Sequence, residues 1–304
     1  MNRLIFSTLL GDKGDASRTL LLAESIRAFA GDLSSAPIWV FLSKSVEQLS
    51  NQSRAQFDAL EVDLHPFQVD SQAASFPFAK KVVASAAAET LAAGKTALLV
   101  WMDPGSMVFN EPQGLLLEAE EKLGCRPVDH LLIGPAFDKP LDPFWQSIFA
   151  DCGVRQEALF PMTTSTDQVE MYPYINAGML VVRPENKLLR LWRDKFLEMY
   201  FQPRYQDFYR SNRLYRIFIH QAVLAGCILS TFKQADILEL PYLVNYPLHM
   251  HTQYPIDRRP RFINELVSFR YEDFFTDPNW QEVIQVKEPQ KSWLEDRQHL
   301  FTAA

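Results

Sequence analysis

An α/β fold built on a mixed, mainly parallel sheet is what this sequence predicts, and three observations predict it. Short apolar runs rich in Leu, Ile, Val and Phe recur through roughly the first hundred residues. Between them lie segments whose apolar residues repeat with helical spacing, and the junctions are rich in Gly, Pro and Asp. Strand, helix, strand at this spacing is the pattern of parallel strands buried on both faces by crossover helices.

The first run, Arg3-Leu-Ile-Phe-Ser-Thr-Leu-Leu10, is bulky enough for a buried strand and stops at the turn-forming Gly11-Asp-Lys-Gly-Asp15. Ser17 is placed to cap a helix over 17–30 with an inner face of Leu22, Ile26 and Phe29, closed by Gly31. Pro37-Ile-Trp-Val-Phe-Leu42 is a second strand, 46–60 a polar helix and 62–66 a third strand. An alanine-rich helix over 80–93 ends at Gly94 and leads into the strand Thr96-Ala-Leu-Leu-Val-Trp-Met102. Further on, 111–123 has helical character and 131–134 reads as a short strand. The Pro-, Asp- and aromatic-rich stretch 135–171 reads as an elaborate loop. Tyr174-Ile-Asn-Ala-Gly-Met-Leu-Val-Val182 is a strand, and Pro184 opens a helix with the stripe Leu188, Leu191, Trp192, Phe196, Met199. A helix over 212–225 and a strand over 237–240 follow. Residues 1–256 form the expected main domain, and 257–304, mixing charged and aromatic residues, an accessory region wrapped on it.

With 304 residues, 47% hydrophobic and 22% charged, the chain can bury a sizeable core, which excludes disorder and coiled-coil architectures. Cys125, Cys152 and Cys227 lie far apart with no metal-binding spacing, as expected of buried thiols in a reducing cytoplasm. A net charge of −7 opposes binding to nucleic acid or an anionic membrane. Leu4 to Leu10 is too short for a signal-peptide core, and uncharged stretches fall short of the roughly 20 residues of a membrane span. The expectation is a soluble, cytoplasmic protein with no nucleic-acid partner and no integral membrane segment.

The chemistry concentrates where the strand over 96–102 stops at Asp103-Pro-Gly-Ser106. Open α/β sheets bind ligands in the crevice beyond the carboxyl ends of their strands. Gly105 allows a ligand close to the backbone, and Pro104 fixes the turn. The competing reading is that Asp103 only caps an Asp-Pro-Gly turn.

An apolar strand ending in Asp103 resembles the strand that finishes in Asp-x-Asp in GT-A-fold glycosyltransferases. Arg18-Thr-Leu-Leu-Leu-Ala-Glu-Ser-Ile-Arg-Ala-Phe-Ala-Gly31 is similar to the first helix of nucleotide-sugar transferases like those of glycosyltransferase family 8. Phe76-Pro-Phe-Ala-Lys-Lys81 resembles their lysine-bearing helix, Tyr174-Ile-Asn-Ala-Gly178 their Asn-Ala-Gly strand, and His220-Gln221 their Asp-Gln pair. Leu240-Pro241 and Asn245 are similar to a later Leu-Pro/Asn strand; together these segments cover roughly residues 3 to 270.

The resemblance implies a GT-A-like (Rossmann-like) single large domain, its mainly parallel sheet flanked by helices, binding a nucleotide-diphosphate sugar, a UDP-sugar first among donors. The backbone of Thr8 to Leu10 then meets the base, and Asp103 and Gly105 the ribose and diphosphate. Lys81, or Lys80, lies near sugar or phosphate. Asn176 and Gly178 line the sugar pocket, and Gln221 lies beneath the anomeric carbon.

Three departures stand against this pattern. Gly105 replaces the second aspartate, which holds Mn²⁺ or Mg²⁺ in the family. The late strand ends Ser268-Phe-Arg-Tyr271 without the family's metal-binding histidine, and His220 replaces the aspartate before Gln221. A hard divalent cation needs several oxygen ligands, so the residues argue against a metal. Arg270, with Lys80 or Lys81, is the candidate replacement for its charge, and a plain structural arginine is the other reading. His249-Met-His251, if extended, presents two imidazoles to one face, which suits a metal, a phosphate or acceptor hydrogen bond, or packing alone. The aromatic stretch from Trp192 to Tyr209 reads as core or as a sugar-stacking surface.

The expected function is transfer of a sugar from a nucleotide-diphosphate donor to an acceptor, hexosyltransferase-like, with Gln221 and Asp103 at the reaction centre. The alternative is a catalytically inactive GT-A protein that keeps the cleft as a binder or scaffold. A nucleotidyltransferase or a dehydrogenase is the remaining rival; Gly11-Asp-Lys-Gly14 lacks the dehydrogenase's Gly-x-Gly-x-x-Gly.

Overall fold

The computed structural model describes residues 2–10, 16–43 and 46–302, so the expected turn at 11–15 lies outside the described residues. Its first half alternates as the apolar pattern requires: β1 (Asn2–Leu9), α1 (Ser17–Phe29), β2 (Ile38–Leu42), α2 (Asn51–Ala59), β3 (Val62–Pro66), α3 (Ser71–Ala74), α4 (Ala79–Ala92) and β4 (Thr96–Met102). Ser17 does not cap α1; Ala16 holds the N-cap position without a side-chain bond. The polar helix expected over 46–60 is broken at Ser50, whose hydroxyl accepts from the Ser53 N–H and starts α2 afresh.

The chain continues with β5 (Ser106–Val108), β6 (Leu123–Pro127), α5 (Pro143–Cys152), β7 (Met162–Thr163), β8 (Glu170–Met171) and β9 (Ile175–Val182). Next come α6 (Leu188–Met199), α7 (Pro203–Ser211), α8 (Arg213–Thr231), β10 (Ile237–Glu239), β11 (Tyr246–Pro247) and β12 (Ser268–Arg270). Short helices α9 (Trp280–Val283), α10 (Gln290–Glu295) and α11 (Gln298–Thr302) close it.

Three expectations in this half are corrected. The helix over 111–123 is absent: only a 3₁₀ turn at Gln113–Leu115 forms, and Leu123 opens β6. Gly114 lies against Pro241, and Leu115 and Leu117 are buried two residues apart, so the apolar spacing is not helical. Residues 131–134 turn rather than extend; Leu132 has φ 43° and the Gly134 N–H closes onto the Leu131 carbonyl at 2.5 Å. The loop over 135–171 contains α5, with Asp142 capping the Trp145 N–H, Pro143 at the first position and Gly153 closing it at φ 71°. That Asp-Pro…Gly signal was present in the sequence.

One seven-stranded sheet in the order β10-β6-β9-β4-β1-β2-β3 organises the molecule. Every pairing is parallel except those of β9, which runs antiparallel to β4 and β6. The expected mixed and mainly parallel sheet flanked by helices is therefore the observed one. In β4, Leu99 and Trp101 face the cluster built with α4, α5, α6 and α8, while Leu98, Val100 and Met102 face the cluster with α1. A small sheet β11-β12-β5 stands beside the carboxyl end of β4 and pairs Arg270 with Ser106. All three cysteines are free and buried.

α8 runs further than the helix expected over 212–225, and Asn212 caps its Leu214 N–H. By length and composition it could cross a membrane, but here Ile219, His220 and the run from Ala222 to Leu229 are buried in the core. It meets α5 at Gly226, where an added Cβ would lie 2.6 Å from Cys152 Sγ and 2.8 Å from Cys152 Cβ. Alanine gains about 1 kcal/mol of helix propensity over glycine, whereas forcing two helices apart costs about 1–3 kcal/mol. The second term wins because the contacted Cβ is fixed to its backbone. Gly226→Ala should lower the denaturant midpoint by an equivalent of up to about 2 kcal/mol; a raised midpoint would show that α5 and α8 are not this close.

Candidate functional site

Asp103 is positioned by two constraints. Its own N–H donates to the Gly178 carbonyl at 2.8 Å, which locks the end of β4 to β9. Lys81 Nζ, from the first turn of α4, donates to Oδ2 at 2.5 Å. Lys81 is buried, while about a quarter (26%) of the Asp103 side chain stays open. Oδ1 has no hydrogen-bond partner. Burial pushes the Asp103 carboxyl above the usual carboxylate range, and the Lys81 charge pulls against it. A carboxylate with a single protein donor is under-satisfied for its capacity.

Beyond this pair opens a cleft of about 520 Å³, at the carboxyl ends of β1 and β4. Among the described residues, Arg18, Lys80, Lys81 and Arg270 line it against two carboxylates, Asp103 and Glu272. A protein whose net charge is −7 has thus gathered positive charge at one point. One wall is apolar, formed by Phe76-Pro77-Phe78. Phe78 is left-handed at φ 59°, an unusual conformation for a bulky residue, and is 45% exposed. Its ring stacks on His220 at 4.5 Å, with Lys81 Nζ 5.0 Å from its centroid.

Gly178 is where β4, β9 and β12 converge. A Cβ there would lie 2.8 Å from Asn176 Oδ1, 3.3 Å from Arg270 Cδ and 3.4 Å from Asp103 Oδ2. Only glycine allows that approach. Asn176 Oδ1 accepts from the Gly178 N–H at 2.8 Å and from Asn245 Nδ2 at 3.4 Å. Arg270 Nη2 donates to Asp129 Oδ2 at 2.6 Å, and Ser165 Oγ donates to the other Asp129 oxygen at 2.7 Å. Arg270 Nε is buried without an acceptor.

The residues singled out in the sequence are therefore only partly assembled. Asp103, Lys81, Lys80, Gly105 and Arg270 share the cleft, and Asn176 and Gly178 abut Asp103 and Arg270 from behind. Thr8 is buried with an unpartnered hydroxyl, next to Leu9, which lines the cleft. Gln221 does not line it; its side chain lies beside the Tyr174 hydroxyl. His220 is buried, and burial followed by the Lys81 charge keeps its pKa far below the ordinary histidine value, so it stays neutral. His249 Nδ1 faces the Arg270 carbonyl at 3.4 Å.

The paired-imidazole expectation for His249 and His251 is corrected. The segment Leu248–Gln253 forms 3₁₀ turns kinked at Met250 and is not extended, so the two imidazoles do not share a strand face. His251 turns inward to the Tyr246 hydroxyl at 3.0 Å, and burial lowers its pKa to about 4. The aromatic stretch is core: Trp192, Phe196 and Tyr205 are fully buried, and Phe201 alone among its large rings is mostly exposed, at 56%. Sequence reasoning missed Arg18, Glu272 and Phe78 as cleft residues. Only Phe78 carried a signal, as an aromatic beside the lysine pair.

These residues do not fit a divalent cation. Gly105 offers no ligand, Asp103 Oδ2 is already bound by Lys81, and among the described residues no group of three His, Cys, Asp or Glu side chains could hold a metal.

The sequence model of the Rhodobacterales glycosyltransferase domain matches residues 11–225, well over half the chain. No curated protein matches it. Among solved structures, the galactosyltransferase LgtC in complex with donor and acceptor sugar analogs is similar over 99% of this chain and 95% of its own, at 14% identity and a TM-score of 0.48. An active-site mutant of LgtC gives 13% identity, 92% and 94% coverage and a TM-score of 0.49. Glycosyltransferase GlyE of Streptococcus pneumoniae TIGR4 gives 12% identity over 98% of this chain and 64% of its own, with a TM-score of 0.47. Those likenesses are distant and assign no residue a role. The family match is of another kind: its span contains Arg18, the lysine pair, Asp103 and the Asn-Ala-Gly strand, and by it this chain belongs to the Rhodobacterales glycosyltransferase domain family.

Proposed function

We propose that the cleft binds a nucleotide-diphosphate sugar, a UDP-sugar first among candidates, and that the chain transfers the sugar to an acceptor. One observation carries this reading: four cationic side chains converge with Asp103 where the central parallel strands end. Breaking the anomeric C–O bond leaves negative charge on the diphosphate, and fixed cations already aimed there lower that barrier. In this reading Lys80, Lys81 and Arg270 face the diphosphate, and Asp103 accepts a hydroxyl of the donor. The Leu9 backbone meets the base, and Asn176 presents its amide nitrogen to the sugar, its oxygen being held internally. Gln221 lies outside the cleft lining, whereas Asp103 and Lys81 stand in it as a pair, so these two carry the reaction centre. The accessory region 257–304 contributes through β12, which supplies Arg270.

The second reading, a binder without turnover, is favoured by Gly105 in place of a carboxylate. Titration calorimetry with a panel of nucleotide sugars, followed by a donor-hydrolysis assay, separates the two. Binding with hydrolysis is the expected result; tight binding with none supports the second reading, and no binding to any donor rejects both. Asn176→Ala should weaken the bound donor at least about tenfold, the loss of a hydrogen bond to a buried polar group, while the melting curve keeps its cooperativity. Unaltered affinity would place the sugar elsewhere.

A further inference from the structure

The Asp103-Pro104-Gly105 turn faces an arginine that the resemblance to known transferases does not account for. A Cβ on Gly105 would meet nothing nearer than Arg18 Nη1, at 3.7 Å. A guanidinium therefore stands against the volume that a second carboxylate would fill. Arg18 lies in the first turn of α1, is half-buried and lines the cleft. Its internal contacts are weak: Nη2 reaches the Glu272 carbonyl at 3.4 Å, and the guanidinium sits 5.9 Å from the Tyr271 ring centroid. Among the described residues, most of its five donors are uncommitted. Arg270 enters from the other side of the turn, where β12 pairs with β5, and Asp129 fixes its direction.

We propose that Arg18, together with Arg270, takes the place of a divalent cation and grips the diphosphate directly. The proposal rests on the donor reading above. Its physical basis is that a planar guanidinium offers two parallel N–H donors to phosphate oxygens and is always charged. A cation placed between two guanidiniums and a carboxylate already paired with lysine meets net repulsion. Glycine at 105 keeps the space open: an aspartate there would pair with Arg18 and withdraw it from the ligand.

The experiment is calorimetry of the full chain with UDP, GDP, ADP, CDP and dTDP and with the nucleoside of the best binder. It is run in excess EDTA and again with Mn²⁺. Wild type should bind one diphosphate in EDTA, with an affinity that Mn²⁺ changes less than about threefold. Arg18→Ala should weaken that diphosphate at least about thirtyfold, losing a charge-assisted pair, and the nucleoside less than about threefold; Arg18→Lys should recover part of the loss. Gly105→Asp, whose added Cβ meets nothing nearer than 3.7 Å, should weaken the diphosphate as well and guards against a folding defect in Arg18→Ala. Tenfold or greater tightening of wild type by Mn²⁺ overturns the proposal, as do diphosphate affinities within threefold of wild type in both Arg18→Ala and Gly105→Asp. If wild type binds none of the five, the donor reading fails and takes this inference with it.

Discussion

Asp103→Asn should slow sugar transfer at least about a hundredfold, equivalent to about 2.7 kcal/mol of transition-state stabilisation. The substitution keeps the size of the side chain and an oxygen for Lys81, so the melting temperature should move by only a few degrees. What it removes is the charge that fixes Lys81 and the capacity to accept further hydrogen bonds. In wild type Oδ1 is buried and, among the described residues, makes none within the protein, so the carboxylate keeps unused acceptor capacity. Because burial raises the Asp103 pKa, acidification protonates it earlier than a free aspartate. The transfer rate should therefore fall with pH through that raised value, and the Asp103→Asn profile should lack this acid limb. A rate reduced less than about fivefold, or an acid limb retained in the variant, would remove Asp103 from the reaction centre. Lys81→Met in the same background tests the pair: the double variant should lose little beyond Asp103→Asn, since groups acting as a unit are non-additive.

Glu89→Ala should cost about 2–3 kcal/mol of stability, because it leaves the buried Leu189 N–H and the half-buried Arg190 without their acceptor. The Glu89 carboxylate is fully buried in α4 and serves α6 from outside. It accepts from the Leu189 N–H at 3.0 Å, the Arg190 N–H at 2.9 Å and Arg190 Nε at 3.0 Å. Two otherwise orphaned N–H groups of the first turn of α6 are thus satisfied by a negative charge placed where the helix dipole favours it. Glu89→Gln retains one acceptor and should lose less. Urea unfolding of both variants checks the order, and a loss below about 1 kcal/mol for Glu89→Ala would show that water replaces the carboxylate. The effect bears on function because α4 also carries Lys81: a helix released from α6 no longer holds that ammonium against Asp103.

Much of this organisation was legible from local pattern. The strands at 62–66 and 96–102 have the expected bounds because apolar runs there are cut off by Gly, Pro or a charged residue. The position of Asp103 beyond a buried strand follows from the same rule. So does the Asn-Ala-Gly strand, whose residues are all buried. Where local propensity and tertiary pairing disagree, the expectation fails: 111–123 holds good helix formers, Leu and Glu, yet pairing with β9 and β10 draws Leu123 into the sheet.

From the amino-acid order alone came the α/β class, the strand that ends in Asp103, and the lysine pair one helix upstream, since these depend on periodicity and on neighbours in the chain. Which charges meet was settled only by the fold. Arg18, Asp103 and Arg270 come from three distant segments, and their meeting requires β9 to run antiparallel beside β4 and a late strand to pair with β5. Long-range pairing of this kind leaves no local periodicity. Glycine at 178 is small for a reason that appears only once Asn176, Asp103 and Arg270 are packed around it.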